Sequence, residues 1–270
     1  MENNTNKIRD AVRESYSKIV ETNSAYSGCG CGPEEEPECC APSTPTSFDN
    51  ISSKLGYSFE ELKNVPEGSN MGLGCGNPQA IAALKKGETV IDLGSGAGFD
   101  VFLAANQVGE SGKVVGIDMT PTMISKAREN AVKGSYSNVE FRLGEIENIP
   151  TPDNFADVII SNCVINLSPE KQKVFNDSFR VLKKGGRIAV SDVIATAELP
   201  EDIKNDIALY AGCVSGASTL NEVEKMLRKA GFINIEIKPK DESAEFIQEW
   251  APGTSIHKYI TSASIEAVKP

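Results

Sequence analysis

The amino-acid sequence predicts an α/β protein built on a doubly wound, mostly parallel sheet. From Glu88 onward, short apolar runs bounded by glycine or turn residues alternate with longer helical runs. The apolar runs are TVIDLG, KVVGID, NVEFRLG, ADVIISN and RIAVSDVI. Strands that are apolar along their whole length and separated by helices are typical of parallel sheets covered on both faces.

Helix boundaries support the same architecture. One helix is expected directly after the glycine turn in VIDLGSGAGFD, and a second begins at Pro121 with Thr120 as its cap. A third is predicted over residues 169–186, with Gly185–Gly186 ending it. Residues 3–21, where apolar Ile8, Val12 and Ile19 lie among charges, predict a short amphipathic helix. Further helices are predicted at 51–64, 201–211 and 220–230, and closing strands at INIEIKP and HKYITSASIEAV.

Three segments are expected along the chain. Residues 1–70 should hold an N-terminal helix, a mobile cysteine-rich loop and a lid region. Residues 71–240 should form the main α/β domain, and residues 241–270 a small closing-strand segment. The loop is predicted from residues 27–48, which are rich in Gly, Pro, Ser, Glu and Cys and lack the apolar side chains that packing requires.

Composition excludes several classes of function. The chain has 27 Lys plus Arg against 38 Asp plus Glu, a net charge of −11, and is poorly suited to nucleic acid, because phosphate contacts need cations. No apolar run approaches the ~20 residues of a membrane-spanning helix. The polar, helical start is not expected to be a signal peptide. A cytoplasmic protein with reduced thiols is therefore expected.

Cysteine is the most informative residue type in this chain. The seven cysteines are Cys29, Cys31, Cys39, Cys40, Cys75, Cys163 and Cys213. Reduced thiols in this number favour a soft, thiophilic substrate or a redox step. Two other interpretations remain open: a buried cysteine acts as a small apolar residue, and the four N-terminal cysteines form a zinc site, although CxC and CC spacings are atypical of one. No resident metal ion is predicted.

The segment VIDLGSGAGFD predicts a strand, a glycine turn and a helix that bind a nucleoside cofactor. Glycine removes the side chain where backbone must approach a ligand, and an acid at the end of the second strand suits ribose hydroxyls. The acids Asp92, Asp118 and Glu145 lie at strand ends without a phosphate-binding cation, so S-adenosylmethionine is the expected cofactor. The glycine turn alone also fits a plain βα loop. The candidate cofactor-binding residues are Asp92, Gly94, Ser95, Gly96, Gly98, Asp118, Met119, Glu145, Ile146 and Asn162.

A family resemblance narrows this interpretation. Residues 88–195 resemble the seven-stranded, Rossmann-like fold of S-adenosylmethionine-dependent methyltransferases, and residues 71–240 would then be that domain. Over roughly residues 51–235 the chain resembles the arsenite methyltransferase family. The motifs that carry the resemblance are GLGCGNP, IDLGSGAGFD, GIDMTPTMI, SNCVINLSPEKQKVF and LKKGGRIAVSDV. Residues 27–48 match in cysteine content rather than in spacing.

The resemblance implies methyl transfer from S-adenosylmethionine to thiolate-bound trivalent arsenic. It assigns arsenic binding to Cys163 and Cys213, and relay or redox roles to Cys75 and an N-terminal cysteine, for which Cys29 and Cys31 are candidates. Cys163 follows the fourth strand, where open α/β sheets bind substrates. Cys75 is expected in a mobile lid and is also a candidate third arsenic ligand. The implied partners are arsenite, methylated trivalent arsenicals and a thiol reductant of the thioredoxin or glutathione type.

Two other functions fit parts of the sequence. The first is a small-molecule carbon methyltransferase of the quinone-biosynthesis type, which GGRIAVSDV fits equally well but which does not require the cysteines. The second is a thiol-rich metalloid-binding protein on a cofactor fold, which predicts binding without turnover.

Overall fold

A computed structural model describes residues 2–22, 48–204, 206, 209–210, 212–240, 243, 246–248 and 256–270. The helices are α1 Glu2–Thr22, α2 Phe48–Lys54, α3 Phe59–Lys63, α4 Gln79–Ala82, α5 Phe99–Val108, α6 Pro121–Lys133, α7 Lys171–Val181, α8 Glu201–Lys204 and α9 Leu220–Ala230. The strands are β1 Thr89–Leu93, β2 Lys113–Asp118, β3 Val139–Leu143, β4 Ala156–Asn162, β5 Leu182–Ala195, β6 Ser218–Thr219, β7 Ile233–Lys240 and β8 Ile260–Val268.

One sheet organises the described residues. Its strand order is β3-β2-β1-β4-β5-β8-β7, and the two-residue β6 pairs with β5. The pairs among β1 to β5 are parallel, and β8 runs antiparallel to both β5 and β7. The predicted doubly wound, mostly parallel sheet is therefore confirmed, with α5, α6 and α7 as crossovers between parallel strands.

The predicted end of the third helix is wrong. α7 ends at Val181, and Gly185–Gly186 lie inside β5 instead of capping a helix. The Gly185 N–H donates to the Lys269 carbonyl at 2.8 Å, and the Lys269 N–H donates to the Gly186 carbonyl at 2.8 Å. The C-terminal tail thus pairs with the glycines, at a point where Gly185 has a left-handed φ of +78°.

The helix predicted over 51–64 divides into two. Gly56, with φ +96°, lies between α2 and α3. α3 begins with a capping box in which the Ser58 hydroxyl accepts from the Glu61 N–H and the Glu61 carboxylate accepts from the Ser58 N–H. The prediction missed this second start signal.

The C-terminal residues belong to the sheet. β8 lies between β5 and β7, and its register with β5 runs from Arg187↔Val268 to Ala195↔Ile260. The division into segments 1–70, 71–240 and 241–270 remains a prediction. None of the helices in the described part of the chain has the length and apolar character that crossing a bilayer requires.

Candidate active site

The candidate site lies at the carboxyl ends of β1, β2, β4 and β5, and α1 packs across it. Ile19 of α1 packs in one apolar cluster with Ala97 of the glycine turn and Met123 of α6. Val12 of α1 lies in a second cluster with Cys163. The predicted amphipathic helix therefore turns its apolar face onto the cofactor turn and the thiols, a position that its sequence did not reveal.

The glycine turn between β1 and α5 needs glycine for two different reasons. A Cβ on Gly94, where φ is +73°, would lie 2.2 Å from Cγ2 of Val164, so this position has no room for a side chain. At Gly96, φ is +50° and the nearest atom is Met123 Sδ at 3.9 Å, so the backbone borders open space. The turn is thus packed tightly behind Gly94 and left clear in front of Gly96, as a cofactor cradle requires.

Asp118 closes this turn from the end of β2. Its carboxylate accepts hydrogen bonds from the Gly96 N–H at 2.9 Å and the Thr120 N–H at 2.8 Å. Burial raises the pKa of Asp118, and these two backbone donors act in the opposite direction. Each carboxylate oxygen keeps a further lone pair for a ligand hydroxyl.

Asp92 is the second acid of the cradle, and its carboxylate has no hydrogen-bond donor among the described residues. It is only 2 % exposed. Burial, with the charges of Asp100 and Asp118, raises its pKa well above the ordinary value of 3.8. The buried hydroxyl of Ser95 also has no partner among the described residues. Unsatisfied polar groups beside an open glycine turn fit a ligand with hydroxyl and ammonium groups, as S-adenosylmethionine has.

We expect Asp92→Asn to raise the melting temperature of the cofactor-free protein by a few degrees at neutral pH. The raised pKa means that the folded state binds the Asp92 proton more tightly than the unfolded state does. Stability therefore falls as pH rises above 3.8, and the neutral amide escapes that loss. Thermal unfolding between pH 4 and 8 checks this. A lower melting temperature for the variant at pH 8 would contradict the account.

Two arginines of α1 bind acids from the segments that follow β3 and β4. Arg9 donates to Glu147 at 2.9 Å and to Glu170 at 3.0 Å, and lies 3.6 Å from Glu145. Arg13 lies 3.5 Å from Glu145 and donates to the Met119 carbonyl at 3.3 Å. Glu145, a candidate cofactor-binding residue in the sequence, is therefore engaged by α1. Ile146 is buried in the main core cluster, and Met119 is half-buried against the cluster that holds the thiols.

The structure brings three of the seven cysteines together. Cys75, Cys163 and Cys213 are all free, buried thiols of one cluster. The Sγ atoms of Cys75 and Cys163 lie within 4.8 Å of each other and of a carboxylate oxygen of Asp192. The Cys213 thiol donates to the Cys163 carbonyl at 2.7 Å. The other four cysteines, Cys29, Cys31, Cys39 and Cys40, lie outside the described residues.

The expectation of a mobile Cys75 is wrong. Cys75 is only 1 % exposed. Its N–H donates to Asn162 Oδ1 at 3.0 Å, and its carbonyl accepts from the Ser262 hydroxyl at 2.7 Å. Contacts with β4 and β8 therefore fix this loop residue beside Cys163.

Cys163 and Cys213 share an unusual backbone conformation. Their φ angles are +57° and +64°, in the left-handed region that residues other than glycine seldom adopt. The Cys163 N–H donates to the Ser191 carbonyl of β5 at 2.8 Å, and the Cys213 N–H donates to the Tyr210 carbonyl at 3.0 Å. Strained positions persist where the surroundings hold them, and they concentrate at functional sites.

Asp192 supports the turn that carries Cys163. Its carboxylate accepts from the Ile165 N–H at 2.9 Å, the Val193 N–H at 2.7 Å and the Asn166 amide at 2.9 Å. Burial raises the pKa of Asp192 to about 6. Prediction from sequence missed this residue, although its place in the β5 run RIAVSDVI, an acid among apolar residues, is a usable signal.

The Cys75 and Cys163 thiols are held in the protonated form. The neighbouring Cys213 and Cys75 thiols, together with burial, raise the pKa of Cys163 well above its ordinary value of 9.0. Burial raises the pKa of Cys75, and its contact with Cys163 acts in the opposite direction. Buried neutral thiols release their protons when a thiophilic centre binds.

Comparisons with known proteins show the family of this chain. The methyltransferase domain family matches residues 84–231. An arsenite methyltransferase of Halobacterium salinarum is 51 % identical over 98 % of this chain and 67 % of its own length. One from Aquipseudomonas alcaligenes is 35 % identical over 83 % of this chain and 62 % of its own. The chain thus spans about two thirds of the length of these relatives.

The chain is also similar to a solved structure. It is that of an arsenic(III) S-adenosylmethionine methyltransferase from Chlamydomonas reinhardtii, 31 % identical, with a TM-score of 0.59 over 82 % of this chain and 73 % of that one. The chain belongs to the methyltransferase-domain family and, within it, to the arsenite methyltransferase family.

Proposed function

We propose that this protein is an arsenite methyltransferase that uses S-adenosylmethionine. The observation that carries the proposal is the buried cluster of Cys75, Cys163 and Cys213 next to the glycine turn of a methyltransferase fold. A methyltransferase acting on carbon, nitrogen or oxygen has no need of three converging thiols. Trivalent arsenic is a soft centre that prefers thiolate sulfur, on the principle that directs soft metals to cysteine.

Three thiols match the valence of arsenite. Each cysteine thiol replaces one hydroxyl of arsenous acid: an As–S bond forms, an As–O bond breaks, and the thiol proton leaves with the hydroxide as water. No net charge is created, which suits a site that keeps its thiols neutral. Arsenic bound by three sulfurs is pyramidal, and its lone pair points away from them.

The protein's contribution to methyl transfer is position. When bound, S-adenosylmethionine would supply an electrophilic methyl group, to which the arsenic lone pair donates, and S-adenosylhomocysteine would be the leaving group. Asp92, Ser95 and Asp118 would hold this cofactor at the glycine turn. α1 covers both the turn and the thiols, and so excludes water from the space between them. The left-handed turns of Cys163 and Cys213 fix the direction in which their sulfurs project.

A reduction step follows each transfer. Methylation leaves arsenic pentavalent, and return to the trivalent state requires two electrons. Two cysteine thiols supply them by forming one disulfide and releasing two protons, after which an external thiol reductant of the thioredoxin or glutathione type reduces the disulfide. Cys29 and Cys31 are candidates for this step together with Cys75. Such cycling needs a reducing compartment, which supports a cytoplasmic location.

Asp118→Ala is expected to weaken S-adenosylmethionine binding by about 1–3 kcal/mol, the range for losing one buried polar partner. The carboxylate also anchors the Gly96 N–H, so its removal loosens the turn as well. Calorimetric titration measures the change. Asp153→Ala is the matched control, because this exposed carboxylate pairs with Arg180 away from the site. Equal affinity for the Asp118 variant and the control would place the cofactor elsewhere.

The function is tested by incubating the protein with arsenite, a dithiol and S-adenosylmethionine, and separating the arsenicals by chromatography with arsenic detection. Methylated arsenicals and equimolar S-adenosylhomocysteine are expected. Arsenite binding without S-adenosylhomocysteine would support the metalloid-binding alternative instead. Methylation of a quinone precursor, with arsenite inert, would support the carbon methyltransferase.

A further inference from the structure

One side chain of β4, that of Asn162, makes two hydrogen bonds to the loop that carries Cys75. Asn162 accepts the Cys75 N–H on Oδ1 at 3.0 Å and donates from Nδ2 to the Gly76 carbonyl at 2.8 Å. Its amide therefore pairs with the loop at two points, as a neighbouring strand would. A Cβ on Gly74 would lie 2.7 Å from Asn162 Nδ2, so glycine there permits the close approach.

The next residue in the chain is Cys163. Asn162 therefore contacts both cysteine segments. Its backbone is bonded to Cys163, and its side chain accepts a hydrogen bond from the Cys75 N–H. The Sγ atoms of these two cysteines lie within 4.8 Å of each other. Rotation of the Asn162 amide would shift Cys75 while leaving Cys163 in place.

A buried network fixes the orientation of that amide. Tyr57 donates its hydroxyl proton to Asp100, at 2.8 Å and 3.0 Å from the two carboxylate oxygens. Because the hydroxyl proton is used there, the Tyr57 oxygen accepts, and Asn162 Nδ2 donates to it at 2.9 Å. Asn162 Nδ2 also donates to Asp100 Oδ2 at 3.3 Å. A flipped amide would place Oδ1 against the Gly76 carbonyl and lose all three donations. Only one orientation of the Asn162 amide therefore satisfies every hydrogen bond of the network.

These groups are buried, and Asp100 lies close enough to Asp92 of the cofactor cradle for its charge to raise the pKa of Asp92. Tyr57 is 4 % exposed and Asp100 is 7 % exposed. The Tyr57 ring packs on Phe99 at 4.8 Å between centroids, and Gln79 donates to the Asp100 carbonyl at 2.9 Å. A satisfied buried network of this kind specifies one geometry rather than adding much stability.

We propose that Tyr57, Asp100 and Asn162 are positioning residues that set Cys75 against Cys163 and so determine three-thiolate capture of arsenite. Asn162 acts here through the Cys75 loop, a different role from the cofactor contact expected from sequence. The inference rests on the proposed function. It predicts selectivity among arsenicals, because only arsenicals with three exchangeable positions need Cys75.

The test compares two probes on full-length variants that also carry Ser in place of Cys29, Cys31, Cys39 and Cys40. Arsenite takes three thiolates, whereas phenylarsine oxide takes two. Tyr57→Phe removes the hydroxyl but keeps the packed ring, and Asn162→Asp removes the donor to Gly76. Tyr136→Phe is the matched control, because its hydroxyl bonds the Asn64 carbonyl at 3.1 Å, outside the network.

We expect both network variants to lose about tenfold in arsenite affinity, the effect of roughly one hydrogen bond, with phenylarsine oxide affinity kept. Mass spectrometry should show faster iodoacetamide alkylation of Cys75 than in the control, with Cys213 unchanged. An unchanged ratio of the two affinities, or equal loss for both probes, overturns the inference.

Alkylation protection by arsenite distinguishes a failure of the proposed function from a failure of this inference. The parent protein here carries Ser at positions 29, 31, 39 and 40 and no network substitution. If the parent protein binds arsenite without protecting Cys75, Cys163 and Cys213 from alkylation, the thiol site itself is wrong. If the parent protects all three and the network variants behave like Tyr136→Phe, only the positioning role is wrong.

Discussion

Cys163→Ser is expected to lose methylation of arsenite and of trivalent monomethylarsenic together, by at least about 100-fold, while it still binds S-adenosylmethionine. Cys163 lies between the other two thiols: Cys75 Sγ is within 4.8 Å, and Cys213 donates to its carbonyl. A hydroxyl in place of this sulfur removes the ligand that every bound arsenical shares. Time courses with both substrates, with arsenic speciation, measure the loss.

Retained cofactor affinity in the same preparation is the control for folding. Serine accepts a left-handed φ about as well as cysteine does, so the turn should survive the change. Cys213→Ser should behave in the same way, because two thiolates are needed for either substrate. Robust turnover of arsenite by Cys163→Ser would remove this residue from the arsenic site.

Cys75→Ser is expected to separate the two methylation steps. Arsenite has three exchangeable positions and monomethylarsenic only two, because the methyl group occupies the third. Loss of Cys75 should therefore abolish methylation of arsenite but leave appreciable activity on trivalent monomethylarsenic supplied with excess thiol. Replacing Cys29, Cys31, Cys39 and Cys40 together should give the same pattern through the reduction step, and single replacements should be milder.

Initial rates with each substrate test this division of roles. Equal loss on both substrates in Cys75→Ser would mean that Cys75 takes part in the transfer step itself. Adding back a small dithiol distinguishes the two groups of variants, since an external reductant replaces a redox cysteine but does not rebuild a buried ligand.

Local patterns predicted the sheet well, because apolar runs and glycine boundaries are local signals. The burial of β1 and β4 follows from TVIDLG and ADVIISN alone. The prediction that Gly185–Gly186 end a helix was wrong because they pair with Lys269, which lies at the far end of the chain. A glycine pair is equally compatible with a helix end and with a strand, and only the long-range pairing decides between them.

For the candidate site, the sequence predicted only the positions that local patterns determine. The glycine turn and the Cys163 position follow from their places at strand ends, a rule of the fold. The burial of Cys75 does not follow, because Asn162 and Ser262 hold it from 87 and 187 residues away. Likewise, Ile8, Val12 and Ile19 predicted an amphipathic α1, but the acids that Arg9 binds come from loops far along the chain.

X-ray absorption spectroscopy of bound arsenic tests the central claim most directly. The protein carrying Ser at positions 29, 31, 39 and 40 is loaded with one equivalent of arsenite, and the arsenic ligands are counted with and without the additional Cys75→Ser change. We expect three sulfur ligands in the first protein, and two sulfurs with one oxygen in the second. Oxygen-dominated coordination in the first, or three sulfurs persisting in the second, would contradict a buried three-thiolate site built from Cys75, Cys163 and Cys213.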